Sequence, residues 1–530
     1  MNATPNTLPP PRPLAQKGQP VDWMFAFKFN AQSFPGCTED GATPPVGSKG
    51  IFGGSVNGYP HGHSQQYVFA TNANPALVKG TGCLGATPSL EDPLAATFAQ
   101  VYNTPGYFYV LWNDQFYNNP IEIQGAPMGH SKGMVVWNAD GEGFVLQVST
   151  PSWPASGSRL YPRQKDGNTL GCINDDDVMV SQHFFAVKTS KDDLVAVLKS
   201  LANSSVVTDI KQPSIVQNGG PADVQALVKV LGQKSRSTQV LVSTLSSGIT
   251  LISKPSSLQV PVWQMISAQL KGCNLRVASW WEHPVIDSTP AGQIPGCWRQ
   301  DLGTPGAVEI ATSGQWQGTT LGLLGGAEKS CNHAKVGVST DASRPLSIFG
   351  DMNQQGTLSP QGKGGCALSQ NGRGGLFYVV NDSTLWSSIT SLLKGSSAGS
   401  GAAPKSPQSG KQTNAKDSSK PVKNATKKAA KKTERPLPKN AVKTASKKVL
   451  KPARKKVAKP VAKTAAKRSA KKSASAASKK RSKPAAKKAS CATKKPRKAA
   501  VKKSPAKKKS RVAQKTARKA SQPRRQSRSR

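Results

Sequence analysis

Long apolar runs are what this 530-residue chain most clearly lacks. Its opening, MNATPNTLPPPRPLAQKG, has none of the roughly 7–15 consecutive apolar residues of a secretory leader. No later run approaches the ~20 apolar residues of a membrane span. The expectation is a soluble protein without a membrane partner, its compartment left open. There is also no C-x-x-C and no Cys/His pairing of the zinc type, so no structural metal site is expected. Seven cysteines (37, 83, 172, 273, 297, 331 and 366) lie in the first 400 residues, with Cys491 beyond. That density neither demands nor excludes disulfides.

Acidic residues are scarce in one region only. Residues 401–530 hold 47 of the chain's 73 Lys+Arg but just two of its 27 acids, Asp417 and Glu434. The first 400 residues are therefore nearly neutral, and +45 of the formal charge of +46 belongs to the tail. A neutral body joined to such an arm points to a polyanion, above all DNA, as partner. The tail is Ala/Lys/Ser/Pro of low complexity, preceded by GSSAGSGAAPKSPQSG. With few apolar residues other than Ala it builds no core, and a disordered, sequence-independent DNA-binding segment is expected over 396–530. It resembles the C-terminal arm of linker histones, and association with a nucleoid or chromatin is compatible with it. A merely solubilising segment is the blander reading. Phosphorylation of serines such as Ser504 in KKSPAKKK would subtract charge and loosen binding.

The body alternates two patterns. Apolar runs at 21–29, 106–113, 133–138, 143–149, 275–281, 334–339, 345–350 and 375–380 predict buried strands. Helical patterns at 93–102, 191–202, 221–231, 262–270 and 382–393 often open on Asp, Ser or Pro, as helix starts prefer. Mixed over nearly 400 residues, they imply an α/β sandwich. Residues 1–20 form a Pro-rich, extended segment.

One motif occurs twice. His130-Ser-Lys132 leads into GMVVW, and His333-Ala-Lys335 leads into VGV. Two positions apart on an extended chain, His and Lys share a face and can address one site. Chance alone gives about 0.3 such pairs in a body of this composition. A strand later each copy returns a polar residue, Ser149 and Asp351, which that spacing would let meet residues before the first strand. Chemically, one imidazole can attack phosphorus, the other can protonate the leaving oxygen, and two lysines can neutralise the non-bridging oxygens. That chemistry requires no metal and no cofactor.

The pattern resembles the phospholipase D superfamily, with GDMN (350–353) in place of its Gly-Ser-x-Asn segment. Within it, GQPVDW and Lys28, YVLWNDQ, GHSKGMVVWN, GFVLQVSTPSWP, NTLGC, SIFGDMNQ and the RGG at 373–375 are similar, in order, to the deoxyribonuclease II family. The resemblance implies a pseudo-twofold αβα sandwich over 21–395, with halves at about 21–205 and 206–395. It further implies a metal-independent endonuclease leaving 3′-phosphorylated ends through a phosphohistidine-type intermediate. His130, Lys132, His333 and Lys335 are then catalytic, and Asp351 orients or tunes an imidazole. Asp114, Gln115, Ser149 and Asn353 are the expected substrate-binding residues. The family also implies a preference for acidic pH and a disulfide near Cys297 and Cys366. The cysteine that family members carry before GQPVDW is missing, which leaves Cys37 as a substitute partner for Cys172 or that bridge absent.

Other polar residues have plainer explanations. His61 and His63 lack a third ligand and suit a polar loop. Asp175, Asp176 and Asp177 suit a solvated turn, while His183 and His283 read as partly buried structural residues. Trp280 and Trp281 could stack on bases, although alternation sends at least one into the core. A catalytically silent packaging protein with the same tail is the rival function, and a lipid phosphodiesterase of the same superfamily is a third. Cleavage by the body without its tail separates the first two, and a phosphatidylcholine substrate exposes the last.

Overall fold

A computed structural model describes residues 8–36, 66–82, 84, 92–116, 127–151 and 179–399. The basic tail, His61, His63, Cys37, Cys172 and Asp175–Asp177 lie outside the described residues.

Two sheets carry the molecule. The first contains β1 (Trp23–Lys28), β2 (Tyr67–Thr71), β3 (Val78–Lys79), β4 (Phe108–Asn113), β5 (Lys132–Trp137), β6 (Gly143–Val148), β7 (Gln182–Thr189) and β8 (Val216–Gln217), in the order β3-β2-β1-β7-β6-β5-β4-β8. The second contains β9 (Leu241–Thr244), β10 (Thr250–Lys254), β11 (Leu275–Ala278) and β12 (Val308–Ile310). After a separate hairpin of β13 (Ser313–Trp316) and β14 (Thr319–Gly322), it is completed by β15 (Val336–Ser339), β16 (Leu346–Gly350) and β17 (Gly375–Asn381). Its order is β12-β11-β15-β16-β17-β10-β9.

The central five strands of each sheet superimpose in topology. β1-β7-β6-β5-β4 corresponds to β10-β17-β16-β15-β11, antiparallel at every step in both. This is the internal pseudo-twofold of a phospholipase D-like α/β fold. The expected border at 205/206 is not where the sheets divide, because β8 returns to pair with β4.

Alternation builds the core. Phe25 and Phe185 from the first sheet stack on Phe349 of β16 at 4.4 and 4.6 Å between centroids. Tyr378 closes the group against Phe185. On the opposite face of the second sheet, Ile252, Val277, Ile348 and Phe377 pack against Trp263, Met265 and Ile266 of a helix at Val262–Gln269. Burying each large apolar side chain stabilises by about 1.5–3 kcal/mol. The helices at Pro93–Asn103 and Lys191–Ser204 start where the sequence signals. Asp92 caps the first, and Ser190 with Asp193 forms a capping box on the second.

Two parts of the periphery differ from expectation. The Pro-rich segment turns through a short 3-10 helix at Gln16–Gly18, and Tyr107 and Gln100 donate to its Pro9 and Arg12 carbonyls. Residues 396–398, expected to begin a flexible linker, are tied to the body: Thr312 and Ala398 amides donate to the Ser396 and Ile310 carbonyls. Main-chain pairing needs no apolar side chain, so composition does not show it. Among the described residues no helix is long and apolar enough to cross a membrane. Cys297 and Cys366 form a disulfide.

Candidate active site

His130 and His333 each sit just before a central strand, β5 and β15, and the packing brings both His-x-Lys pairs to one place. Each imidazole feels the charge of the other pair's lysine. All four side chains are buried, His130 and His333 retaining only 6% and 7% of their surface.

The expected return of Ser149 and Asp351 toward the histidines occurs, but crosswise between the halves. His130 Nδ1 lies 2.8 Å from the main-chain oxygen of Asp351, and His333 Nδ1 lies 2.7 Å from that of Ser149. The backbone repeats the crossing, since His130 N donates to the Gly374 carbonyl and His333 N to that of Ser181, both at 2.8 Å. A carbonyl only accepts, so each Nδ1 carries the hydrogen and each Nε2 is left for chemistry. Lys335 Nζ donates to the His333 carbonyl at 2.6 Å and lies 3.0 Å from its Nδ1.

It is thus through its carbonyl that Asp351 orients an imidazole. Its carboxylate accepts from the Leu376 amide and from Gln147 Nε2. Burial pushes this carboxyl up to about 7. Ser149 is the counterpart: its hydroxyl accepts from the His183 amide and donates to Gln182 Oε1. These bonds tie both side chains into the protein framework around the histidines.

Asp114 has both carboxylate oxygens engaged, one by Lys132 at 2.5 Å and one by Arg373 at 2.8 Å. Burial opposes its charge, yet Lys132, His130 and Arg373 together hold it well below the usual carboxylate range. Arg373 also donates to the Met128 and Gly129 carbonyls, which fixes the loop leading into His130. Asp114 therefore balances and places cations. Gln115 is exposed at the turn that follows. Asn353 is buried, donating to Gln355 at 2.7 Å, with its Oδ1 unpartnered among the described residues.

Two glycines make the close approaches. A Cβ on Gly133 would lie 2.6 Å from the ring of Trp112, whose Nε1 donates to Ser131 beside His130. A Cβ on Gly374 would lie 2.2 Å from the Ser204 carbonyl, so the chain that receives His130 N tolerates no side chain there.

Sequence reasoning named Lys28 only within the family resemblance, and did not single out Lys254 or Gln147. Lys254 ends β10 as Lys28 ends β1, and its buried ammonium donates to the Asn371 and Arg373 carbonyls at 2.9 and 2.8 Å. Lys28 likewise donates to the Val180 carbonyl at 2.7 Å. Each lysine anchors the chain one residue before the carbonyl that holds a histidine amide. Desolvation brings the Lys254 ammonium down to about 7. The signal was a lysine closing an apolar strand in both halves, and for Gln147 a lone amide inside GFVLQV. His183, read as structural, is fully buried and its Nδ1 accepts from the Lys335 amide at 3.1 Å. His283 is exposed instead of partly buried.

A pseudo-twofold α/β fold with one His-x-Lys pair from each half defines a phospholipase D-like protein. The model of the family described as Deoxyribonuclease II matches residues 56–396, more than half of the chain, and the chain belongs to that family. It is 22% identical over 367 residues to Cell-death-related nuclease 7 of Caenorhabditis elegans, covering 67% of this chain and 82% of that one. It is also 22% identical over 389 residues to Deoxyribonuclease-2-alpha of Mus musculus, covering 71% and 90%. The chain is a phosphodiester hydrolase of the deoxyribonuclease class.

Proposed function

We propose that the body is an endonuclease that cuts DNA without a metal and leaves 3′-phosphates, and that the tail holds it on its substrate. The observation that carries this reading is the pair of Nδ1–carbonyl bonds, which aim two Nε2 atoms into a site shared with two lysines. One Nε2 attacks phosphorus, forming an N–P bond as the P–O5′ bond breaks. The other imidazole, protonated, gives its proton to the departing O5′. Now neutral, it takes a proton from water, which attacks phosphorus, breaks the N–P bond and releases the 3′-phosphate. Lys132 and Lys335 offset charge growing on the non-bridging oxygens. Asp114 and Arg373 hold Lys132 and the His130 loop in place.

The pH dependence follows from burial. Desolvation first, then the lysines, hold His130 and His333 well below the ordinary imidazole value, with Asp114 partly opposing this at His130. The acid imidazole must carry a proton, so the rate falls as pH rises through its lowered pKa. The nucleophile must be neutral, so the rate also falls at the acid end. A bell-shaped kcat/KM profile with its maximum below pH ~6.5 is expected. A maximum at pH 8 would show that these imidazoles are not the acid and the nucleophile.

For the tail we infer counterion-release binding to phosphates. Even 6–10 lysine contacts would cost about 10³–10⁵ in affinity between 50 and 200 mM salt. The test is plasmid cleavage in EDTA by the full chain and by a chain ending after residue 399, which keeps the body's last described bonds. The shorter chain should still cut, more slowly at dilute DNA and with a flatter salt dependence. Retardation without cutting by the full chain would favour the packaging protein.

A further inference from the structure

Beside the lysines the two halves of the site differ in the residue that follows the neighbouring strand. β4 and β5 place Asn113 beside Lys132, and β11 and β15 place Ala278 beside Val336. Continued by one residue, that register sets Ser279 against Lys335 as Asn113 is set against Lys132. The pseudo-twofold counterpart of Asp114 is therefore Trp280. Where the first half puts a carboxylate between cations, the second puts an indole, 4.6 Å from the His333 ring between centroids and at 73° to it.

That indole is held firmly and only partly covered. Ser279 before it is buried and accepts from the Gln354 amide at 3.0 Å. Trp281 after it is core, its Nε1 donating to the Ile286 carbonyl at 2.9 Å. Gly325 packs so closely that a Cβ there would lie 2.6 Å from Trp281 N. The main chain on both sides is thus immobilised, while Trp280 keeps surface open beside a proposed reacting imidazole. A large flat apolar side chain kept partly in water next to a phosphate site suits the one part of a nucleic acid that is flat and apolar, the base.

We propose that Trp280 is a base-stacking subsite: it receives the nucleobase flanking the scissile phosphate on the His333 side and so fixes which phosphate enters the site. The inference rests on the nuclease reading above. Because a base inside an intact duplex does not offer its face, the subsite selects an unstacked nucleotide, in single strands or at locally opened duplex. Every base has such a face, so the subsite positions without reading sequence.

The test compares the full-length protein with Trp280→Leu and Trp280→Phe on a short single-stranded oligodeoxynucleotide. Base–aromatic stacking of about 1–3 kcal/mol corresponds to about 5- to 150-fold at 1.4 kcal/mol per tenfold. KM should rise by that factor in Trp280→Leu while kcat and the shape of the pH profile hold, and Trp280→Phe should recover most of it. In a His130→Ala background, 2-aminopurine in the oligonucleotide should be quenched on binding, and the quench should vanish when Trp280→Leu is added. An unchanged KM, an unchanged quench, or a displaced pH profile at constant KM would overturn the subsite, the last by assigning Trp280 to the imidazole alone. Failure of the unaltered protein to cut would sink the nuclease reading instead, and the quench would still report whether the indole meets a base.

Discussion

Changing either His130 or His333 to alanine is expected to lower kcat by about 10³-fold or more, since each variant loses a nucleophile or a general acid worth about 10²–10⁴ on its own. The double variant should be hardly worse than either single one, because groups acting in one sequence of steps are not additive. Stopped assays of oligonucleotide cleavage in EDTA, with end-labelling to identify the 3′-phosphate, would check both points. A single variant retaining a tenth of the activity would remove that histidine from the reaction. The folded state should survive either change, since removing a buried imidazole relieves a desolvated group and leaves Asp351 and Ser149 carbonyls to be met by water.

The second large effect is on stability. Asp114→Ala would leave buried Lys132 and largely covered Arg373 without their shared carboxylate, and breaking such an arrangement from one side costs about 3–5 kcal/mol. Urea unfolding of the two proteins at pH 7 measures this, and a loss under 1 kcal/mol would show the network to be energetically neutral. The pH dependence has a definite sign. Asp114 is held below its unfolded value, so its contribution is complete above the ordinary carboxylate range of about 4 and fades as pH falls below it. The gap between wild type and Asp114→Ala should therefore narrow under strong acid. Asp351 behaves oppositely. Pushed up to about 7, its burial weighs increasingly on the folded state as pH rises from about 4 to 7.

Much of this architecture was legible because strands buried on both faces read as near-continuous apolar runs. Each of the eight runs read from the sequence overlaps a strand, from Trp23–Lys28 to Gly375–Asn381. Each of the five helical patterns overlaps a helix. Strands that escaped notice were short or chemically mixed. β2, YVFAT, follows polar sequence, β13 and β14 are built from Ser, Gly, Gln and Thr, and β7 opens with Gln-His before its apolar residues. Such segments become strands because a neighbour offers a register, which no local period records.

For the site, spacing announced His130, Lys132, His333 and Lys335 and the return of Ser149 and Asp351. Spacing could not say that each return serves the opposite half, since that depends on how the halves dock. Nor could it separate Asp114 the cation holder from Asp114 the substrate contact, because one turn looks alike for both. Arg373 is far away in sequence, and only the fold places it against that carboxylate.

The crossing has a further consequence when a half is considered alone. Separated from its companion, either half would keep its imidazole but lose the carbonyl that fixes the tautomer, and would be inert as a monomer. Two identical halves related by a true dyad would each supply what the other needs, in an isologous contact that closes on itself. The single chain thus has the internal logic of an obligate C2 dimer whose subunits were fused, and whose two sides were afterwards at liberty to diverge.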